Sequence, residues 1–62
     1  MMSNIELLKI ELKKRKQGNI QLTINALAFE FNRNKQSLIA NFRILGEAKY
    51  IKITTGFWEY VE

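Results

Sequence analysis

A chain of 62 residues with neither a cysteine nor a histidine must hold its fold by packing alone or with the help of a partner subunit. A domain this small buries only about 60% of the surface its unfolded chain exposes, so small scaffolds ordinarily add disulfides, a metal or a second copy. The two missing residue types remove disulfides and nearly all transition-metal sites. Hydrophobic residues make up 47% of the chain and charged residues 26%, the balance of a folded domain rather than a disordered one. Residues 1–62 read as a single domain without repeat, linker or low-complexity tail. No apolar run approaches the roughly 20 residues that span a bilayer. The start, Met1-Met2-Ser3-Asn4, lacks the basic stretch and cleavage site of a signal peptide, so a cytoplasmic location is expected.

Hydrophobic spacing divides the chain into six elements. Ser3, with Glu6 three residues on, forms a capping-box signature for a first helix from Ser3 or Asn4 to about Gln17. Ile5, Leu8 and Leu12 share one face of it, and Lys13, Lys14, Arg15 and Lys16 crowd its last turn, where the helix dipole favours cations. Gly18 is expected to stop it. Asn19-Ile20-Gln21-Leu22 alternates as a short strand, and Thr23 caps a second helix over Ile24–Phe31 with Ile24, Leu27, Ala28 and Phe31 inward. Asn32 suits a left-handed turn, and Asn34 caps a third helix over Lys35–Glu47 with Leu38, Phe42 and Leu45 inward. Tyr50–Thr54 and Phe57–Val61 read as two strands joined at Thr55-Gly56. The seven aromatics are expected in the core, on the buried sides of these elements.

The expected order is therefore α-β-α-α-β-β, an α+β fold. The stretch from Ile20 onward resembles bacterial and archaeal winged helix-turn-helix repressors. Leu27-Ala28 matches the Leu-Ala pair of their first motif helix, Asn32 stands at the turn, and Leu45 with Ala48-Lys49-Tyr50-Ile51 matches their exit into the wing. Arg33 departs from the apolar residue usual after the turn, Lys49 from the usual glycine, and the wing tip Thr54-Thr55-Gly56 has no cation. The resemblance implies binding to double-stranded DNA, with the third helix in the major groove.

A formal net charge of +4 agrees with a polyanionic partner. The residues expected at such an interface are Arg33, Asn34, Lys35, Gln36, Ser37, Ala40, Asn41 and Arg43 around the third helix. Gln36 suits adenine, Lys35 and Arg43 suit guanine or phosphate, and small Ser37 and Ala40 allow close approach. Thr54 and Thr55 at the wing and Lys13, Lys14, Arg15 and Lys16 on the first helix are expected phosphate contacts. This route requires Lys35, Arg43 and the first-helix cluster to share one surface. Charges pointing to different sides favour a protein-interaction module instead, the alternative that winged helices also serve; an accessory replication or architectural role is a third use of the fold.

Leu7 and Ile10 form a second apolar pair on the first helix, away from Ile5, Leu8 and Leu12. A homodimer through this pair is expected, presenting two recognition helices to a symmetric site. Catalysis is not expected: no histidine or cysteine is present, the six acids are scattered, and Gly18, Gly46 and Gly56 stand too far apart for a phosphate loop. No cofactor, metal or small-molecule ligand is expected. The expected role is a small sequence-specific transcriptional regulator, of the kind carried by a phage, plasmid or other mobile element.

Overall fold

The structure, a computed structural model, describes residues 2–62. Its elements run α1 (Asn4–Arg15), β1 (Gln17–Asn19), α2 (Ile20–Phe31), α3 (Lys35–Glu47), β2 (Ile51–Thr54) and β3 (Phe57–Tyr60). The expected α+β order holds. No helix among the described residues is long and apolar enough to cross a membrane.

Helix α1 begins as its capping box requires. Ser3 Oγ accepts from the Glu6 N–H at 3.2 Å, and Glu6 Oε1 accepts from the Ser3 N–H at 3.1 Å. Its end differs from expectation. Lys16 takes φ 76°, and its carbonyl accepts the Tyr60 N–H, so the chain is recruited into the sheet before Gly18 is reached. Gly18 lies within β1 opposite Trp58, where a Cβ would stand 3.2 Å from Thr23 Oγ1 and 3.3 Å from Trp58 Nε1. The glycine serves close approach of strand to indole, not helix termination.

Helix α2 starts at Ile20, four residues before the expected Ile24, and β1 is correspondingly earlier than Asn19–Leu22. Asn19 is the N-cap, its side chain accepting from the Leu22 N–H at 2.9 Å. Thr23, expected as the cap, lies buried one turn inside. Its hydroxyl donates to the Asn19 carbonyl at 2.7 Å and accepts from Trp58 Nε1 at 2.9 Å, so the indole N–H is not left unpaired in the core. Asparagine caps as well as threonine, and the earlier start adds Ile20 to the stripe Ile24, Leu27 at helical spacing.

Asn32 ends α2 in the left-handed conformation (φ 52°, ψ 51°), and Asn34 caps α3 by accepting from the Ser37 N–H at 3.1 Å, both as expected. Helix α3 closes in a Schellman pattern: the Lys49 N–H donates to the Gly46 carbonyl (3.1 Å) and the Tyr50 N–H to the Leu45 carbonyl (3.0 Å). This places Lys49 at φ 66°, a position that suits glycine. Strands β2 and β3 form the expected hairpin with Gly56 at φ 79°, and the Gly56 carbonyl accepts the Ile20 N–H at 2.8 Å, tying the tip to the start of α2. The sheet order is β1-β3-β2, antiparallel throughout, with Trp58 of β3 facing Gly18 on one side and Ile53 on the other.

The core joins Leu8 and Leu12 of α1, Ile24 and Leu27 of α2, Leu38, Phe42 and Leu45 of α3, Ile51 and Trp58. Phe42 and Trp58 meet edge to face, centroids 6.1 Å apart. The expected aromatic core is corrected for four members. Phe29 is 89% exposed, and Phe31, Tyr50 and Phe57 also face solvent. Phe57 alternates with buried Trp58 on β3, Tyr50 lies under the Lys9 ammonium (4.5 Å to the ring centre), and α2 is apolar on both sides. Leu7, expected at a dimer interface, is only 2% exposed within the chain itself, because α1 packs along α3 with Leu7, Leu8, Glu11 and Leu12 all covered. Ile10 is exposed.

Candidate nucleic-acid interface

With Leu38, Phe42 and Leu45 turned into the core, the opposite side of α3 presents Gln36, Ala40 and Arg43 at i, i+4 and i+7. These three line a shallow depression together with Ile39, Ile44 and Glu47. Arg43 and Glu47 also border a wider groove between α3 and β2, whose other wall carries Lys49 and Lys52 and whose floor is Gly46, Ile51 and Ile53. At Gly46 the helix and hairpin are close, since a Cβ there would stand 2.8 Å from Ile53 Cδ1 at the end of that side chain. Ile51 also borders an adjoining depression lined by Lys9 and Lys13 of α1 and by Tyr50. Five cations, Lys9, Lys13, Arg43, Lys49 and Lys52, thus border two depressions that meet at one buried isoleucine. None of the five is in an ion pair among the described residues.

The other cations of α1 are held by the chain's own acids. Lys14 Nζ donates to Glu11 at 3.2 Å, and Arg15 lies 3.7 Å from Glu11 and 3.3 Å from Glu30 of α2. Lys16 Nζ donates to Glu62 at 2.9 Å, and that hydrogen bond and charge hold the Glu62 carboxyl below its ordinary pKa. Of the cluster Lys13, Lys14, Arg15 and Lys16, only Lys13 joins the unpaired arc. Lys35 is exposed at the start of α3, to one side of the Gln36–Arg43 line.

Several other expected contacts are employed within the fold. Arg33 donates from Nη1 to the Met2 carbonyl (2.9 Å) and to Asn4 Oδ1 (2.8 Å), locking the start of α1 onto the α2–α3 turn. Asn34 is occupied as the cap of α3, and Asn41 donates to the Ser37 carbonyl at 2.6 Å. Thr54 and Thr55 are exposed at the hairpin tip, where Thr54 borders a separate depression with Gln17 and Glu59. The expected residues brought together are therefore Gln36, Ala40 and Arg43.

Sequence reasoning missed Lys9, Lys49, Lys52, Ile39, Ile44 and Glu47. The two isoleucines were discernible in principle, because both fall outside the Leu38, Phe42, Leu45 stripe. Lys49 and Lys52 meet Arg43 only through the chain reversal that follows α3. Comparison of the chain with known protein families, curated proteins and solved structures found no match.

Proposed function

We propose that this domain is a winged helix-turn-helix module that binds double-stranded DNA through α3, and that it serves as a small sequence-specific regulator without catalytic activity. The observation that carries the reading is the arc of unpaired cations bordering α3 and β2. Two helices joined through residues 32–34, with a hairpin after the second and a sheet ordered β1-β3-β2, support the fold assignment. In this reading α3 enters the major groove. Gln36 reads adenine through its amide, Arg43 reaches guanine or a backbone oxygen, and Ala40 lets the helix sit near the groove floor. Lys49 and Lys52 hold the adjacent phosphates, fixing register without reading sequence. The unpaired Lys9 and Lys13 border a separate depression beside α1. Lys14, Arg15 and Lys16 are removed from the interface, because their charge is already answered by Glu11, Glu30 and Glu62.

A protein-interaction module is the second reading, favoured by two observations. Most of the α1 cluster is held by the chain's own acids rather than left free beside Arg43, and Leu22 (67% exposed) and Phe29 leave an apolar stripe on the outer side of α2. The two readings separate in a titration of a labelled random-sequence duplex by fluorescence anisotropy across a salt series. Under the DNA reading, log affinity falls steeply with log salt, and Arg43→Ala with Lys52→Ala lowers the slope by about 2. Phe29→Ser leaves affinity and slope unchanged. Absence of binding at low salt, or a slope untouched by the double substitution, would transfer the weight to a protein partner.

A further inference from the structure

The outer side of α3 carries more apolar surface than a solvated helix needs. Ile39 (37% exposed) and Ile44 (50% exposed) flank Gln36, Ala40 and Arg43 and border the same depression. Isoleucine is a weaker helix former than the lysine, glutamate or glutamine that usually fill such positions, and at this exposure neither side chain contributes fully to the core. One exposed isoleucine is ordinary; two on the face that also holds an unpaired arginine and an amide ask for an occupant with both apolar and polar groups. That occupant is polyanionic, because Arg43, Lys49 and Lys52 outnumber Glu47 around the adjoining groove and none of the three is in an ion pair among the described residues. A duplex meets all these demands at one base type. Thymine presents the only apolar group on the natural base edges of the major groove, its 5-methyl, and its paired adenine presents the donor and acceptor that a glutamine amide matches.

We infer, resting on the DNA-binding reading, that α3 selects a thymine-containing site. Ile39 and Ile44 cover thymine methyl groups on either side of the Gln36–Arg43 line, and Ala40 is small enough to let them reach. Gln36 pairs with an adenine in the same tract, while Arg43 anchors a neighbouring guanine or phosphate. The resulting preference is for methyl groups in the groove, separable from any preference for the shape of A·T-rich DNA.

The test uses the full chain and three labelled duplexes at one low salt concentration: alternating A–T, the same duplex with every thymine replaced by deoxyuridine, and alternating G–C. Uracil removes only the methyl, so affinity should fall by about fourfold for each methyl covered, the usual worth of one buried methyl or methylene group. Replacing cytosine by 5-methylcytosine in the G–C duplex puts a methyl at the same groove position and should raise affinity. Ile39→Ser with Ile44→Ser should abolish both differences while leaving the chain folded by circular dichroism and the salt slope nearly unchanged. Equal affinity for thymine and uracil duplexes would overturn the inference and leave DNA binding standing. A methyl preference that survives in the double variant would overturn the assignment to these residues. No binding to any duplex would remove both the inference and the reading beneath it.

Discussion

Helices α2 and α3 are nearly equal in length, share an asparagine N-cap and bury matching inner stripes, yet their outer sides could hardly differ more. The outer side of α2 offers exposed Leu22 and Phe29, and the acid next to Phe29, Glu30, is tied to Arg15. The outer side of α3 sets two isoleucines among Gln36 and Arg43, beside a groove bordered by Lys49 and Lys52. Apolar exposure alone is therefore a poor guide to function in this chain. What distinguishes the two faces is the company the apolar groups keep. Under the proposed function, charge complementarity favours a polyanion at α3, whereas nothing in the structure says what covers Phe29.

The inner sides should be equivalent, and the largest expected effects test that. Leu27 of α2 and Leu38 of α3 are both fully buried in one core. Truncating either to alanine should cost about 2–5 kcal/mol, by lost transfer energy and the cavity left behind. A chain of this length has only about 3–9 kcal/mol of total stability at typical values per residue, so each variant should lose a large share of it and melt roughly 10–40 °C lower by circular dichroism. A chain that tolerates Leu27→Ala but not Leu38→Ala would show that α2 is the looser layer and break the equivalence.

Where an element carries its own chemical signal, its sequence was enough. Ser3 with Glu6 marks the start of α1, Asn32 and Asn34 mark the turn, and the stripe Leu38, Phe42, Leu45 orients α3. The start of α2 was misplaced because Asn19-Ile20-Gln21-Leu22 satisfies two periods at once. As alternation it reads as a strand; joined to Ile24 and Leu27, Ile20 continues a helical stripe. Phe29 lies outside the inward stripe of Ile24 and Leu27, whereas Phe31 is in phase with that stripe but sits at the last residue of α2, where it is 39% exposed. Gly18 looks like a helix stop until Trp58 is placed against it, 40 positions later in a chain whose residues must first pair as β1 and β3. The candidate site had the same weakness. Lys14, Arg15 and Lys16 form the obvious basic run, but Glu30 and Glu62 reach them only through tertiary structure, while Lys49 and Lys52 gain meaning only beside Arg43.

The ends of the two helices differ in a way that stability measurements should resolve. Both stop at a residue with positive φ, Asn32 for α2 and Lys49 for α3. Asparagine tolerates that conformation; lysine carries its full steric penalty. Lys49→Gly should therefore stabilise the domain by about 0.5–1 kcal/mol, or roughly 4–8 °C per kcal/mol in melting temperature for a chain this small. Asn32→Gly should change stability by only a few tenths. The same Lys49→Gly variant should bind DNA more weakly, because the cation borders the α3–β2 groove. Backbone strain retained at a groove-lining cation is the pattern expected where function opposes stability. A destabilised Lys49→Gly protein would contradict this account of how α3 ends.

The smallest effect concerns the helix starts. Helices α2 and α3 are capped by neutral amides and have no acid in their first turns, whereas the cap of α1 includes the Glu6 carboxylate. The Ser3 N–H and hydroxyl hydrogen bonds, with a weaker contribution from Lys9, hold the Glu6 carboxyl below its ordinary value of 4.5. A depressed folded-state pKa means that the unfolded chain takes up the proton first as pH falls. The stabilisation is thus complete above the ordinary carboxylate pKa and is lost as pH drops through the lower folded-state value. Glu62, depressed by Lys16, follows the same sign, and through Lys16 it sits at the other end of α1. Acid should therefore loosen both ends of α1 before it touches the starts of α2 and α3. Amide hydrogen exchange, compared residue by residue between pH 6 and pH 3 after correction for intrinsic rates, should lose protection first around Glu6 and Leu7. The amides of Leu22 and Ser37, held by Asn19 and Asn34, should keep theirs. Glu6→Gln should remove the pH dependence at the start of α1 while its amide oxygen preserves the hydrogen bond to Ser3. Uniform loss of protection at all three helix starts would mean that acid acts on the domain as a whole rather than through the α1 cap.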